Sequence, residues 1–121
     1  MTVTLALILA ALIQVESSGR DGAIGDNGAA VGCLQIQKVM VDDVNRILGR
    51  DHFTYDDRYR RSASMGMALV AFSHYVTEER LGRRPTVRDY CRRWNPRCSE
   101  RYIVAVIDEV KKLQGEGVDD G

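Results

Sequence analysis

The sequence predicts an all-α, single-domain protein, and three observations support this prediction. Apolar residues recur at helical spacing in several segments, while no segment shows the alternation typical of a strand. The composition, 45% hydrophobic and 28% charged over 121 residues, is that of one globular domain. Proline is rare, with two residues, and Ala, Leu, Val and Arg are abundant, which favours helix. We therefore expect about five helices.

The first predicted helix is apolar on all sides. Between residues 3 and 15 only Thr4 and Gln14 are polar, which indicates a helix at the centre of the core. Gly19 follows and suits the end of a helix. The apolar run 5–13 has the length of a signal-peptide core, but no Lys or Arg precedes it and it is too short to span a bilayer. We interpret it as a buried helix and expect no membrane insertion.

A glycine-rich loop follows this helix. Residues 19–32 contain five glycines together with Asp21, Asp26 and Asn27. Such a composition predicts irregular structure, with a small hairpin around residues 26–28 as one form that it can take. Long irregular segments are uncommon inside a small domain and are usually functional. The loop is therefore the first place to look for a site.

The rest of the chain predicts four more helices, at about residues 36–48, 62–80, 86–94 and 99–114. Thr86 is a suitable N-cap for the predicted helix at about residues 86–94. The Asp89 side chain can accept a hydrogen bond from the Thr86 backbone N–H and so complete a capping box. The predicted domain thus covers residues 1–114. Residues 115–121 are predicted to form a flexible acidic tail.

The balance of charge argues against several classes of partner. Seventeen basic and seventeen acidic residues give a formal net charge of zero, so we expect no general binding to nucleic acid or to a membrane surface. Between Arg80 and Arg101, however, eight arginines stand against two acids. This segment is either a solvated helix face or a cationic rim that favours a polymer bearing carboxylates.

Histidine and cysteine give no sign of a metal site or a cofactor. His52 and His74 lack the spacing of metal ligands, and the three cysteines form neither a disulfide framework nor a metal-binding motif. Cys33 is expected to be a buried thiol, whereas Cys91 and Cys98 could bridge across the intervening turn. We therefore predict no cofactor. Nothing in the sequence indicates the oligomeric state.

Glu16 is the acidic residue whose position suggests chemistry. It ends the apolar helix and immediately precedes the glycine-rich loop. A carboxyl group there loses hydration, which disfavours its ionised form and raises its pKa towards that of a general acid. The alternative is an ordinary glutamate that faces solvent at a helix end.

The order of short motifs around Glu16 resembles the lytic transglycosylase (goose-type lysozyme-like) family. The chain reads Glu-Ser-Ser-Gly from Glu16, Ala-Ile-Gly-Asp-Asn-Gly over residues 23–28, Gly-Cys-Leu-Gln-Ile over 32–36, and Trp-Asn at 94–95. The family has Glu-Ser at a helix end, a loop of small residues, a Gly-Leu-Met-Gln-Ile-type segment and an aromatic-Asn pair. The resemblance implies a lysozyme-like domain whose glycine-rich loop belongs to the active site.

The resemblance also implies a substrate and a role for Glu16. In this family the matching glutamate protonates the glycosidic oxygen between N-acetylmuramic acid and N-acetylglucosamine, so the expected partners are peptidoglycan glycan strands. The Tyr90 ring could be a sugar platform, although core packing is the better interpretation of its spacing. The implied substrate contacts are Ser17, Gly32, Leu34, Gln35, Tyr90, Trp94 and Asn95.

Asp26 is the candidate for a second catalytic carboxylate. Glycosidases that use water need a second acid, whereas lytic transglycosylases use the substrate's own groups and form a 1,6-anhydro sugar. Asp26 could position water, but beside Asn27 it could also be a simple turn-former. The sequence leaves hydrolase and transglycosylase open.

Two departures from the family pattern keep other functions open. Pro96 and Arg97 follow Asn95 where the family usually has glycine, and Cys33 replaces the usual Leu or Pro. Proline fixes φ and removes an amide donor, so that side of the cleft is shaped differently. The alternatives are a chitinase or chitosanase, and a non-catalytic glycan-binding or structural module. An enzyme of this kind acts on the extracytoplasmic cell wall, released by phage, carried on a virion, or as part of a larger protein.

Overall fold

The protein is all-α, as the sequence predicts. The computed structural model describes residues 3–117, with 66% helix and a sheet of only two strands. The helices are α1 (Leu5–Ser17), α2 (Lys38–Leu48), α3 (Arg61–Tyr75), α4 (Glu78–Leu81), α5 (Val87–Trp94) and α6 (Glu100–Gly117). The strands are β1 (Ile24–Gly25) and β2 (Ala30–Val31), and single 3-10 turns occupy Asp26–Gly28 and Tyr55–Tyr59.

Helix α1 packs most of its apolar run into the core, but Ala6, Ala10 and Gln14 are exposed, so one face of the helix meets solvent. The Thr4 hydroxyl oxygen accepts a hydrogen bond from the Leu7 amide at 3.3 Å, and Ser18 ends the helix in a left-handed conformation with φ 53°. Its main packing partner is α6. No helix within residues 3–117 is long and apolar enough to cross a membrane. The side chains of α1 that are buried in the core are Ile8, Leu9, Ala11, Leu12 and Ile13.

The predicted helix over residues 62–80 is in fact two helices. Helix α3 ends at Tyr75, and Val76 leaves the helical region with ψ 76°. Thr77 then caps α4, its hydroxyl oxygen accepting from the Arg80 amide at 3.1 Å. Threonine is a preferred N-cap residue because its hydroxyl oxygen can accept from a backbone N–H in this way, and the polar residues 77–80 that follow Val76 start a new helix instead of extending α3. The structure therefore has six helices within its described residues, consistent with the prediction of about five.

The loop after α1 contains the small hairpin that its composition allows. Strands β1 and β2 are antiparallel, with Ile24 opposite Val31 and Gly25 opposite Ala30. The turn between them places Asp26 and Asn27 at φ 51° and 57°, a region that these two residue types tolerate better than most. The hairpin fixes where Asp26 lies.

The C-terminal helix runs further than the sequence predicts. Helix α6 extends to Gly117, past residue 115 where the predicted tail begins. The rest of that tail, residues 118–121, lies outside the described residues.

The cysteines are all free thiols. The anticipated bridge between Cys91 and Cys98 is not formed, and the Cys98 sulfur instead lies 3.9 Å from the Cys91 carbonyl oxygen. Burial, reinforced by the nearby Cys98 thiol, raises the pKa of Cys91 to about 11, so that this thiol stays protonated. Cys33 is buried, as expected.

Candidate active site

A cleft of about 470 Å³ lies where the end of α1, the hairpin loop, α2 and the end of α5 meet. It holds both predicted catalytic acids. Its polar lining consists of Glu16, Asp26, Gln35, Gln37, Asp43, Tyr75, Arg93 and Asn95. Its apolar lining consists of Val39, Met40, Ala71, Trp94 and Pro96.

Glu16 is half-buried in the last turn of α1, and one of its oxygens has a fixed partner. The Tyr102 hydroxyl donates a hydrogen bond to Glu16 Oε2 at 2.6 Å. Burial raises the pKa of Glu16, the hydrogen bond from Tyr102 lowers it, and the negative charge of Asp26 raises it. The net pKa lies above that of a free glutamate, so the acid keeps its proton to higher pH.

Tyr102 belongs to α6 and is the partner of Glu16 that sequence reasoning missed. Its burial, followed by the charge of Glu16 and their hydrogen bond, raises the pKa of Tyr102, which keeps the phenol a donor. The two residues are 86 positions apart and meet because α1 packs on α6. In the sequence Tyr102 is simply the neighbour of the core residue Ile103, so no local pattern marks it.

Asp26 faces the same cleft from the turn of the hairpin. Its side chain is exposed, and its hydrogen-bonding partner among the described residues is the Gln37 amide, at 3.5 Å. The carboxylate is therefore open to solvent or to a ligand. Asp26 and Glu16 line the same cleft, and the negative charge of Asp26 contributes to the raised pKa of Glu16.

Gln35 lines the cleft and also braces the glycine-rich loop. Its backbone has φ 52°, and its side-chain amide donates to the carbonyl oxygens of Ala23, at 3.2 Å, and Gly32, at 3.0 Å. These bonds connect the start and the end of the loop. Gln35 thus holds the hairpin that carries Asp26.

Trp94 forms the floor of the cleft rather than an open sugar platform. Only 6% of it is exposed, and its indole N–H donates to the Leu34 carbonyl oxygen at 3.0 Å. The indole ring also packs edge-on against Phe72, with ring centroids 5.5 Å apart. A ligand can touch the exposed part of the ring but cannot stack on its full face.

Asn95 is the C-cap residue of α5, and both its backbone N–H and its backbone carbonyl form hydrogen bonds. Its amide donates to the Cys91 carbonyl at 2.8 Å, and its carbonyl accepts from the Cys98 amide at 2.9 Å. Its side-chain amide lines the cleft and has no hydrogen-bond partner within residues 3–117. One donor pair and one acceptor are therefore available to a ligand.

Four of the predicted substrate contacts lie behind the cleft wall. The Ser17 hydroxyl is buried and donates to the Ile13 carbonyl at 3.0 Å, and the Leu34 side chain is fully buried. Tyr90 packs edge-on against Phe72, with centroids 5.0 Å apart. Gly32 abuts the backbone of residue 58. None of these four residues lines the cleft, so the side chains of Ser17, Leu34 and Tyr90 are not placed for direct contact, while the backbone contacts implied for residues 32–34 stay a prediction.

Sequence reasoning also missed a charged cluster at the other end of the cleft. The Tyr75 hydroxyl donates to Asp43 Oδ2 at 2.8 Å, and Arg46 forms an ion pair with Asp43 Oδ1. The Arg93 guanidinium lies over the Tyr75 ring, 3.3 Å from its centroid. We call these four residues the Asp43 cluster. Its members come from α2, α3 and α5 and meet only in the folded chain.

The comparisons with known proteins add no relative. No protein-family model matches the sequence, and neither the curated proteins nor the solved structures gave a match. Within the part of the chain that the structure describes, no group of three or more His, Cys, Asp or Glu side chains could hold a metal ion.

The Tyr102 hydrogen bond gives a prediction about pH. Tyr102→Phe removes the bond that lowers the pKa of Glu16, so the pKa should rise. If Glu16 works in its protonated form, the rate of glycan cleavage should then fall at a higher pH than in the parent. Loss of one hydrogen bond to a charged group should also lower turnover about tenfold at the optimum. A pH–rate profile checks both, and a tenfold loss with an unmoved profile would contradict the contact.

Proposed function

We propose that the chain cleaves peptidoglycan glycan strands at the bond between N-acetylmuramic acid and N-acetylglucosamine, with Glu16 as the general acid. The observation that carries this proposal is the half-buried Glu16 at the cleft, with a raised pKa and one oxygen held by Tyr102. The motifs that resemble lytic transglycosylases point to the same residue.

The geometry around Glu16 suits proton donation. Oε2 accepts the Tyr102 hydrogen bond, while Oε1 has no hydrogen-bond partner within residues 3–117. Oε1 can therefore carry the proton that a glycosidic oxygen needs as its bond to the sugar breaks. Once Glu16 has given up its proton, Tyr102 stabilises the carboxylate that forms.

The remaining lining suits an N-acetylated sugar chain. The cleft volume of about 470 Å³ lies within the usual range for a ligand site. The Asn95 side-chain amide can pair with an acetamido group, and Trp94 and Met40 offer apolar contact. The chemistry needs no cofactor beyond these groups.

Asp26→Asn tests the role of the second acid. Because the charge of Asp26 raises the pKa of Glu16, this variant should lose activity at a lower pH than the parent, opposite to Tyr102→Phe. If Asp26 positions water, turnover should also fall by roughly a hundredfold, the size of a lost general base. Mass spectrometry of the products separates the two reactions: a reducing end marks hydrolysis, and a 1,6-anhydro end marks transglycosylation. A reducing-end product from an unimpaired variant would exclude Asp26 as the residue that positions water.

The second candidate is a glycan-binding module with a degenerate cleft. Pro96 favours this second candidate. It lines the cleft beside Asn95, at a position where lytic transglycosylases usually have glycine. A turbidity assay on purified peptidoglycan and on colloidal chitin decides between the candidates. We expect peptidoglycan to clear and chitin to stay turbid. Clearing of chitin alone would assign a chitinase, and binding without clearing of either would assign the module.

A further inference from the structure

Arg93 is held at the cleft by an aromatic ring. It lies in the last turn of α5, where its guanidinium sits over Tyr75 and its side chain is 40% exposed. Cation–π stacking of this kind fixes the orientation of the planar group without using its N–H donors. The position of the Arg93 guanidinium is therefore set before any ligand arrives.

The donors of Arg93 are not used within the described residues. The guanidinium makes no hydrogen bond there, and its one ionic neighbour is Asp43, whose Oδ2 lies 3.8 Å from Nη2. Asp43 is already occupied by closer partners, since Arg46 pairs with Oδ1 and the Tyr75 hydroxyl donates to Oδ2. Two N–H groups of the Arg93 guanidinium are thus free to bind both oxygens of a carboxylate.

The Asp43 cluster carries an excess positive charge. Burial alone would raise the pKa of Asp43, but the hydrogen bonds from Arg46 and Tyr75 and the charges of Arg46 and Arg93 outweigh it, so the pKa is lowered. Asp43 is therefore ionised near neutral pH, and one negative charge stands against the positive charges of Arg46 and Arg93. Among the described residues that line the cleft, Arg93 is the single cation.

We propose that Arg93 binds a carboxylate carried by the muramyl residue of the substrate. This inference rests on the proposed function and names the group that selects the substrate. A chain of N-acetylglucosamine has no carboxylate, whereas a muramyl residue bears one on its lactyl ether, or on the peptide stem attached there. The open guanidinium next to Trp94 and Asn95 thus distinguishes cell-wall glycan from chitin.

Binding to the inactive variant Glu16→Gln tests the proposal, because it measures affinity without turnover. Isothermal titration calorimetry compares four tetrasaccharides. The first alternates N-acetylglucosamine with N-acetylmuramic acid and has free lactyl groups, the second has these groups as neutral methylamides, and the third carries Ala-Glu stems. Chitotetraose is the fourth. Each ligand is titrated into three proteins: the single variant Glu16→Gln, the double variant Glu16→Gln/Arg93→Gln, and the double variant Glu16→Gln/Arg92→Gln. The last is the control, because it removes the same charge from the adjacent exposed residue.

We expect a carboxylate-bearing ligand to bind about tenfold more tightly than the methylamide and chitotetraose. Arg93→Gln should abolish that preference, and Arg92→Gln should keep it. Tighter binding of the first ligand identifies the lactyl carboxylate, and tighter binding of the third identifies the stem. Equal affinity for charged and neutral ligands would overturn the role of Arg93 while leaving cleavage by the parent protein intact. Absence of binding, together with absence of cleavage by the parent, would overturn the proposed function itself.

Discussion

Glu16→Gln is expected to lower the rate of peptidoglycan cleavage by roughly a hundredfold or more, the contribution of a general acid. Glutamine has nearly the same shape as glutamate, and its carbonyl oxygen can still accept the hydrogen bond from Tyr102. What it lacks is the proton that the leaving oxygen must receive. The loss should therefore fall on turnover, while the affinity for glycan stays close to that of the parent.

The stability of this variant provides an independent check. Because the folded-state pKa of Glu16 is raised, the native state binds the proton more tightly than the unfolded chain does. The parent therefore loses stability as pH rises from the unfolded-state pKa through the folded-state pKa of Glu16. Glutamine does not ionise, so the Tm of Glu16→Gln at pH 8 should equal or exceed that of the parent. Thermal unfolding followed by circular dichroism measures this.

A matched control separates chemistry from charge. Glu79→Gln makes the same substitution at an exposed site on α4, outside the cleft, and should cleave glycan at the parental rate. Cleavage by Glu16→Gln at the parental rate would place the acid elsewhere. A destabilised Glu16→Gln protein would instead indicate that Glu16 serves mainly the packing of α1 against α6.

The elements predicted from sequence are those whose signals are local. Helix α1 could be recognised from its apolar run, but its exposed face could not, because Ala6 and Ala10 on that face are themselves apolar. The start of α5 could be recognised because Thr86 and Asp89 are three residues apart, and they do form a capping box. The break at Thr77 was missed, because the polar residues 77–80 also fit the exposed last turn of a continuing helix, and the bond from the Arg80 amide to the Thr77 hydroxyl shows that a new helix begins there.

The candidate site was predictable only in part, for the same reason. Glu16 and Asp26 lie ten residues apart on one helix and its following loop, so sequence reasoning could place them together. Tyr102 meets Glu16, and Arg93 meets Tyr75 in the cleft, through helix packing over long sequence distances that no periodicity records. The contact of Gly32 with substrate that the resemblance implies stays a prediction, and the structure adds a separate packing reason for glycine at this position.

Gly32→Ala is expected to destabilise the fold severely. Gly32 has φ 86°, and a Cβ atom there would lie 1.8 Å from the backbone carbonyl oxygen of Arg58. That carbonyl cannot readily move, because it accepts a hydrogen bond from the buried Ser64 hydroxyl at 2.9 Å. The Arg58 side chain is also fixed, donating to the Tyr55 carbonyl at 2.7 Å and to the Ile36 carbonyl at 3.2 Å. The chain must therefore shift around residue 32.

Gly28→Ala separates the steric overlap from the backbone conformation. Gly28 has a similar φ of 93°, but nothing lies within 4 Å of the position that a Cβ would occupy. Gly28→Ala should lower the free energy of unfolding by only about 1–2 kcal/mol, the cost of holding alanine in the left-handed conformation. Gly32→Ala adds overpacking to the same cost, so its free energy of unfolding should fall by about 2–5 kcal/mol. Urea unfolding of both variants measures the difference, and equal losses would show that the backbone of residue 58 yields without resistance.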